Sequence, residues 1–289
     1  MRCAYLLAIS IAACHARSAD PAPAPTHRDA AAAQIDAMQA APCDGKPIAL
    51  GKGVTAERWT VARADACMDL VRIDLADYQL EILAAAREGA ARPAPRWADD
   101  FGLVAVINLA MFKDDGAPVA LAIDSRGALN ARDNPPFGGF LAFDPVDPRD
   151  PPVTVAGRSC AGFELDALKR RYRGVVQSYR MLDCDGGAIA WKDAKRYSAA
   201  AVGVDRDGRL VLVHVRAPFT MKALSAALAK PELRLQGAIF VEGGPEASLV
   251  VRADRTLERV GSFETSFLES DENQRFWDLP NVLGVARAR

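Results

Sequence analysis

Between residues 54 and 83 apolar and polar side chains alternate, and a period of two marks a strand with one face buried. The pattern predicts strands over 59–62, 68–75 and 78–84. Shorter apolar runs at 103–108, 118–123, 140–143, 175–178, 188–191 and 238–241 read as more fully buried strands. The segments 200–204 and 210–215 flank Asp205-Arg206-Asp207-Gly208, a turn suited to an antiparallel hairpin. Helical spacing marks 96–100, 163–172 and 221–230, the last with Thr220 as N-cap, and a short helix is also expected through Ala30–Ala40. Strands far outnumber helices. The predicted class is α+β: a mixed, mostly antiparallel β-sheet with a few covering helices in a single domain.

The N-terminus departs from this pattern. Met1-Arg2 is followed by an apolar run over 3–13, which fits a secretory signal and is too short to span a bilayer. Ile11-Ala12-Ala13-Cys14 also fits a lipobox, with cleavage before Cys14 and lipidation of its thiol; cutting near Ala19 is the soluble alternative. The expected organisation is a signal over 1–19, an Ala/Pro-rich tether over 20–45 and a folded domain over 46–289. The export reading implies a periplasmic or membrane-anchored envelope protein.

Composition narrows the chemistry. The 36 Lys and Arg nearly cancel the 37 Asp and Glu, and no long basic run appears, which argues against nucleic acid as partner. His15, His27 and His214 are the three histidines, and two lie in the leader, which argues against a His-rich metal centre. Setting aside Cys3 and Cys14 leaves Cys43, Cys67, Cys160 and Cys184, an even number that in an exported chain suggests two disulfides. Three pairings are open; Cys43–Cys67 and Cys160–Cys184 are favoured because each closes a loop of about 24 residues, of which the chain-entropy model makes about 3 kcal/mol.

The strongest chemical signal is Glu242-Gly243-Gly244-Pro245-Glu246-Ala247-Ser248, directly after the buried run 238–241. Two glycines allow a sharp turn and close approach of a ligand, with a carboxylate at each end. Four further segments accompany it: Val106-Ile107-Asn108-Leu109-Ala110-Met111-Phe112, Gln177-Ser178-Tyr179-Arg180-Met181-Leu182, Ala201-Val202-Gly203-Val204-Asp205-Arg206-Asp207-Gly208 and Pro280-Asn281-Val282-Leu283-Gly284. Taken in order over residues 55 to 289, this series resembles the bacterial phosphodiester glycosidase family, related to the catalytic domain of the lysosomal uncovering enzyme.

The resemblance implies hydrolysis of a sugar-1-phosphodiester, here in an envelope glycan or glycolipid. It matches Asn108 to a substrate-binding Asn at a strand end, and Gln177 and Ser178 to a Gln-Ser pair. Glu242 stands where the family usually has Asp, and becomes the candidate catalytic carboxylate with Glu246 as partner. Arg180, His214 and Arg216 are candidates for holding phosphate, the last two sharing a strand face. Gly243, Gly244, Ser248 and Asn281 complete the expected substrate mouth. No cofactor is called for, although carboxylates near a phosphate leave room for a divalent cation. Leu109-Ala110 replaces the small pair expected after Asn108, and Phe137-Gly138-Gly139-Phe140 lacks the family's Asn. These departures, with the Asp-to-Glu change, motivate the alternative of a glycan- or sugar-phosphate-binding protein that has lost catalysis.

Overall fold

The computed structural model describes residues 41–61, 66–192, 194–262 and 273–288. The expected signal, Cys14 and most of the tether lie outside the described residues. In chain order the first strands are β1 (Ile48–Gly51), β2 (Val54–Thr60), β3 (Cys67–Ile73), β4 (Tyr78–Ala84), β5 (Arg92–Pro93) and β6 (Ala105–Asn108). Then come β7 (Ala122–Asp124), β8 (Gly127–Asn130), β9 (Gly139–Pro145), β10 (Val153–Gly157), β11 (Tyr172–Ser178) and β12 (Tyr197–Asp205). The last are β13 (Leu210–Phe219), β14 (Leu235–Gly243), β15 (Ser248–Arg252), β16 (Thr256–Val260), β17 (Asp278–Leu279) and β18 (Asn281–Arg287). Four α-helices accompany them: α1 (Ala85–Glu88), α2 (Ala94–Phe101), α3 (Leu165–Arg171) and α4 (Met221–Leu228).

Three large sheets result, ordered β1-β2-β3-β13-β12-β14, β10-β9-β11-β7-β8 and β16-β15-β6-β18-β4, with β17 and β5 as a separate pair. The class is α+β and mostly sheet, and every ladder between these strands is antiparallel. Each large sheet turns one face to a common apolar core, to which Val202 and Leu212, Leu141 and Val176, and Ile107 and Leu283 all contribute. Each opposite face is covered by a helix. Met221, Leu224 and Leu228 of α4 pack on the six-stranded sheet, Trp97 and Ala98 of α2 on the sheet of β6, and Leu168 of α3 on the sheet of β11. Strands covered on both sides need apolar residues at nearly every position, hence the continuous runs at 238–241 and 103–108.

Local expectations hold where the signal is chemical. The β12–β13 hairpin turns through Gly208 at φ 79°, and Asp205 accepts hydrogen bonds from the backbone N–H of Asp207 and Arg209 at 3.0 and 2.9 Å. Thr220 caps α4 by accepting from Ala223 N–H at 3.2 Å. The expected strand at 188–191 does not form: Leu182 and Ala188 make an isolated bridge, and Ile189 N–H donates instead to Ser225 Oγ of α4. The edge of β14 that such a strand would have sought is already taken. Beyond the end of β11, Phe240 N–H donates to the Tyr179 carbonyl at 2.9 Å and Met181 N–H to the Ala238 carbonyl at 2.8 Å. This crossover ties the sheet of β11 to the six-stranded sheet. The run at 118–123 forms a strand only from Ala122 onward, with Pro118 making an isolated bridge to Phe112, and β15, β16 and β18 were not among the predicted strands.

The cysteines pair as favoured, Cys43 with Cys67 and Cys160 with Cys184. The second bridge joins the turn after β10 to the loop after Met181. Replacing Cys160 and Cys184 together by Ser lowers the unfolding free energy by about 3 kcal/mol, read from urea denaturation without reductant; an unchanged midpoint would refute a structural role for this bridge.

Candidate active site

A groove opens where the crossover meets the end of β14. One arm, of about 330 Å³, is lined by Met111, Tyr179, Trp191, Tyr197, Phe240 and Glu242, with Lys195, Met221 and Gly243. A second arm of about 470 Å³ carries Arg158, Arg180 and Lys192 together with Gly138, Ser159 and Ile189. Tyr179 and Trp191 line both, their rings 5.5 Å apart and edge-on, so the two arms meet at this pair.

Backbone geometry brings Glu242 to the groove. The β12–β14 ladder slips by one residue, so that Ala201 opposes Phe240 while Ala200 opposes Glu242, leaving Val241 as a bulge. Bulges bend a strand and re-aim side chains near functional sites. Phe240 and Glu242 flank this one and both line the groove. The Gly-Gly turn has two separate causes. Gly244 adopts φ 70°, which disfavours any residue with a Cβ. A Cβ on Gly243 would lie 2.7 Å from the Tyr197 ring and 2.8 Å from the Ser198 carbonyl. The half-buried Glu242 accepts from Gly243 N–H at 2.9 Å through Oε1.

Of the residues expected from the sequence, Glu242, Gly243 and Arg180 line the groove. Arg180 sits beside the disulfide, its Nη1 donating to the sulfurs of Cys160 and Cys184 at 2.8 and 3.3 Å. Glu246 and Gly244 lie on the turn outside the groove lining. Asn108 and Ser248 adjoin each other on neighbouring strands, with Asn108 Oδ1 accepting from Ser248 N–H at 3.0 Å. Among the described residues, Asn108 Nδ2, Ser248 Oγ and Ser178 Oγ are buried without a hydrogen-bond partner. Gln177 is committed to its own chain. Its Oε1 accepts from Asn134 N–H at 2.9 Å, and its Nε2 donates to Asp133 and to the Asn134 and Phe137 carbonyls at 2.7–2.8 Å. Asn281 Nδ2 holds the Gly116 carbonyl at 2.9 Å.

His214 and Arg216 face protein rather than the groove. Arg216 donates to the carbonyls of Val260 and Asn273. His214 Nε2 lies 3.1 Å from the Ala247 carbonyl, and among the described residues Nδ1 is buried without a hydrogen-bond partner. Beside it Asp69 receives both Nε and Nη2 of Arg259 at 2.9 Å, with Arg58 3.3 Å away.

The groove's aromatic walls, Arg158 and the lysines were not singled out from the sequence. A signal existed for two of them: Tyr179 directly follows Gln177-Ser178, and Phe240 precedes Glu242 by two, on the same strand face. Trp191 and Lys192 gave none, because their loop is placed by Ser225, whose Oγ bonds the Met181 carbonyl at 2.5 Å. Among the described residues, no group of three or more His, Cys, Asp or Glu is arranged to hold a metal ion.

Residues 101–286 match the sequence model of the phosphodiester glycosidase family. The chain belongs to this family. Among solved structures, it is similar to the zebrafish N-acetylglucosamine-1-phosphodiester alpha-N-acetylglucosaminidase catalytic domain auto-inhibited by its pro-peptide. That match has a TM-score of 0.58 and 13% identity, over 92% of this chain and 95% of the other. A hypothetical protein from Synechocystis matches with a TM-score of 0.57 and 14% identity over 84% of this chain; the chain spans 64% of that protein's length. At such identities the likeness concerns the fold. No curated protein matches the chain.

Burial generates one pH prediction. Desolvation pushes the His214 imidazole down to about 4, against the opposing pull of Asp69 and the Ala247 carbonyl and helped by Arg259 and Arg216. The folded state therefore binds this proton more weakly than the unfolded chain. Stability contributed by neutral His214 is complete above its unfolded value near 6.5 and is lost as pH falls toward 4. The drop in unfolding free energy between pH 7 and 4.5 should shrink by about 2 kcal/mol in His214→Gln. Equal drops in the two proteins, measured by denaturant titration, would exclude His214 as the source.

Proposed function

We propose that this protein hydrolyses a sugar-1-phosphodiester of the cell envelope, with Glu242 as the catalytic carboxylate. The observation that carries the reading is the division of one groove into an aromatic arm bearing Glu242 and a cationic arm bearing Arg158, Arg180 and Lys192. The C–H faces of a pyranose pack well on aromatic rings such as Tyr179, Trp191, Tyr197 and Phe240. Guanidinium groups suit phosphate oxygens because their planar donors can engage two at once. A glycosyl phosphate lying across the Tyr179–Trp191 junction would set its anomeric carbon on the side of Glu242.

The chemistry fits one carboxylate in the groove. Phosphate leaves more readily than an alkoxide, so protonation of the leaving oxygen matters less than in ordinary glycosidases. Glu242 then supplies the negative charge at the anomeric carbon, as nucleophile or as the base that activates water. Arg158 and Arg180 stabilise the charge that gathers on the departing phosphate. Glu246, on the turn outside the groove lining, is given no acid role in this reading. The oxidised cysteines suit an extracytoplasmic location, and the N-terminal run suggests delivery to the envelope, free or tethered through Cys14.

The zebrafish protein is by name an N-acetylglucosamine-1-phosphodiester alpha-N-acetylglucosaminidase, which favours sugars joined through the anomeric oxygen to phosphate as the first substrates to try. In an assay of sugar-1-(nitrophenyl phosphates), Glu242→Gln should lower kcat by about 10²–10⁴ with little change in KM. Unchanged kcat would remove Glu242 from the mechanism. A wild-type protein that binds these esters without turning them over would favour the sugar-phosphate-binding alternative.

A further inference from the structure

A buried amide and a groove cation are joined through one carboxylate oxygen. Gln177, on β11, is fully enclosed at 1% exposure, and its Nε2 donates to Asp133 Oδ1 at 2.7 Å. The same Oδ1 receives Nη2 of Arg158. Gln177 also grips both ends of the 134–137 turn through the Asn134 N–H and the Asn134 and Phe137 carbonyls, so Asp133 is set on a braced loop. Arg158 is constrained from two further directions. Its backbone N–H donates to the Gly138 carbonyl at 2.8 Å, and its guanidinium lies 5.2 Å from the centre of the Phe140 ring. Donors remain on its guanidinium: among the described residues Arg158 Nε is buried without a hydrogen-bond partner, on a side chain that lines the cationic arm.

We propose that Asp133, held by Gln177, is a positioning residue that aims Arg158 at an anionic group in the cationic arm. Arg158 contacts the phosphate; Asp133 and Gln177 act only through it. The proposal rests on the reading of that arm as the phosphate side of the groove. Its physical basis is that a long, partly exposed arginine loses rotamer freedom on binding. A carboxylate and a ring face that already hold the guanidinium remove part of that cost beforehand. The arrangement carries an electrostatic penalty, because Asp133 is itself negative and repels the anion. The sign of the Asp133 effect therefore separates positioning from simple charge.

The test uses inorganic phosphate binding to the full chain, by calorimetry at low ionic strength, and needs no turnover. Asp133→Ala should weaken phosphate binding about fivefold to tenfold, despite removing a negative charge. Asp133→Asn, which keeps an acceptor oxygen for both Gln177 and Arg158, should stay close to wild type. Arg158→Ala should weaken binding at least as much as Asp133→Ala, and adding Asp133→Ala to it should cost nothing more. Arg158→Lys, which keeps the charge but loses the fork, should behave as Asp133→Ala does and covers the case in which that variant folds poorly. The proposal is overturned if wild type binds no phosphate, if Asp133→Ala binds as tightly or more tightly, or if its loss persists without Arg158. It is overturned equally if Arg158→Lys matches wild type. Because the readout is binding, coupling between Asp133 and Arg158 would survive a failure of the glycosidase reading. Normal turnover with no coupling would reject the positioning role alone.

Discussion

Three sheets share one apolar core, and most of the remaining architecture follows from that constraint. A strand whose inner face lies in a common core and whose outer face lies under a helix can place polar groups only at its ends or at its irregularities. Val241 and Ile239 of β14 are thus committed to the shared core, while Ala238 and Phe240 pack on the opposite side. Chemistry is pushed to the point where β14 bulges and stops. Asn108, Gln177, Ser178, Ser248 and Asn281 also sit at strand ends, for the same reason.

The buried polar residues nevertheless divide into two kinds of work. Gln177 and Asn281 fasten loops to strands through their amides, and Arg216 and Arg259 tie the six-stranded sheet to its neighbour. Such groups look like ligands in a linear reading because they are polar residues beside buried runs. They are held inside because loop backbone carbonyls and N–H groups near a core must be satisfied by something other than water. Many of the groups that line the groove, Glu242, Tyr179, Arg180 and Trp191 among them, are instead partly exposed and come from the crossover after β11, the loop after Met181 and the end of β14.

That loop shows how the groove wall is made firm without regular structure. Cys184 anchors its start to Cys160, and Ser225 of α4 bonds both the Met181 carbonyl and Ile189 N–H. Trp191 therefore stands against Tyr179 on a segment that has no ladder of its own. The same disulfide lies under Arg180, so one covalent bridge supports residues of both arms.

Local chemistry determined much of this protein by itself. The hairpin at Asp205–Gly208 and the cap at Thr220 depend on neighbours within a few residues, and so were legible in the chain. The class was legible too, because buried strands leave continuous apolar runs. Loop length favoured the two cysteine pairings among three open ones, and the folded structure chose between them. The carboxylate near the end of β14 was legible as one of two acids flanking a Gly-Gly turn, though the reason for each glycine was not: φ 70° at Gly244 and the Tyr197 ring against Gly243 are tertiary facts. Only the folded structure separated Glu242 from Glu246, turned His214 and Arg216 away from the groove, and brought Arg158 and Trp191 to it. These outcomes depend on a one-residue bulge, a crossover between sheets and contacts across 20 to 60 positions of sequence. A period of two records which face a side chain takes, but not which distant segment will face it.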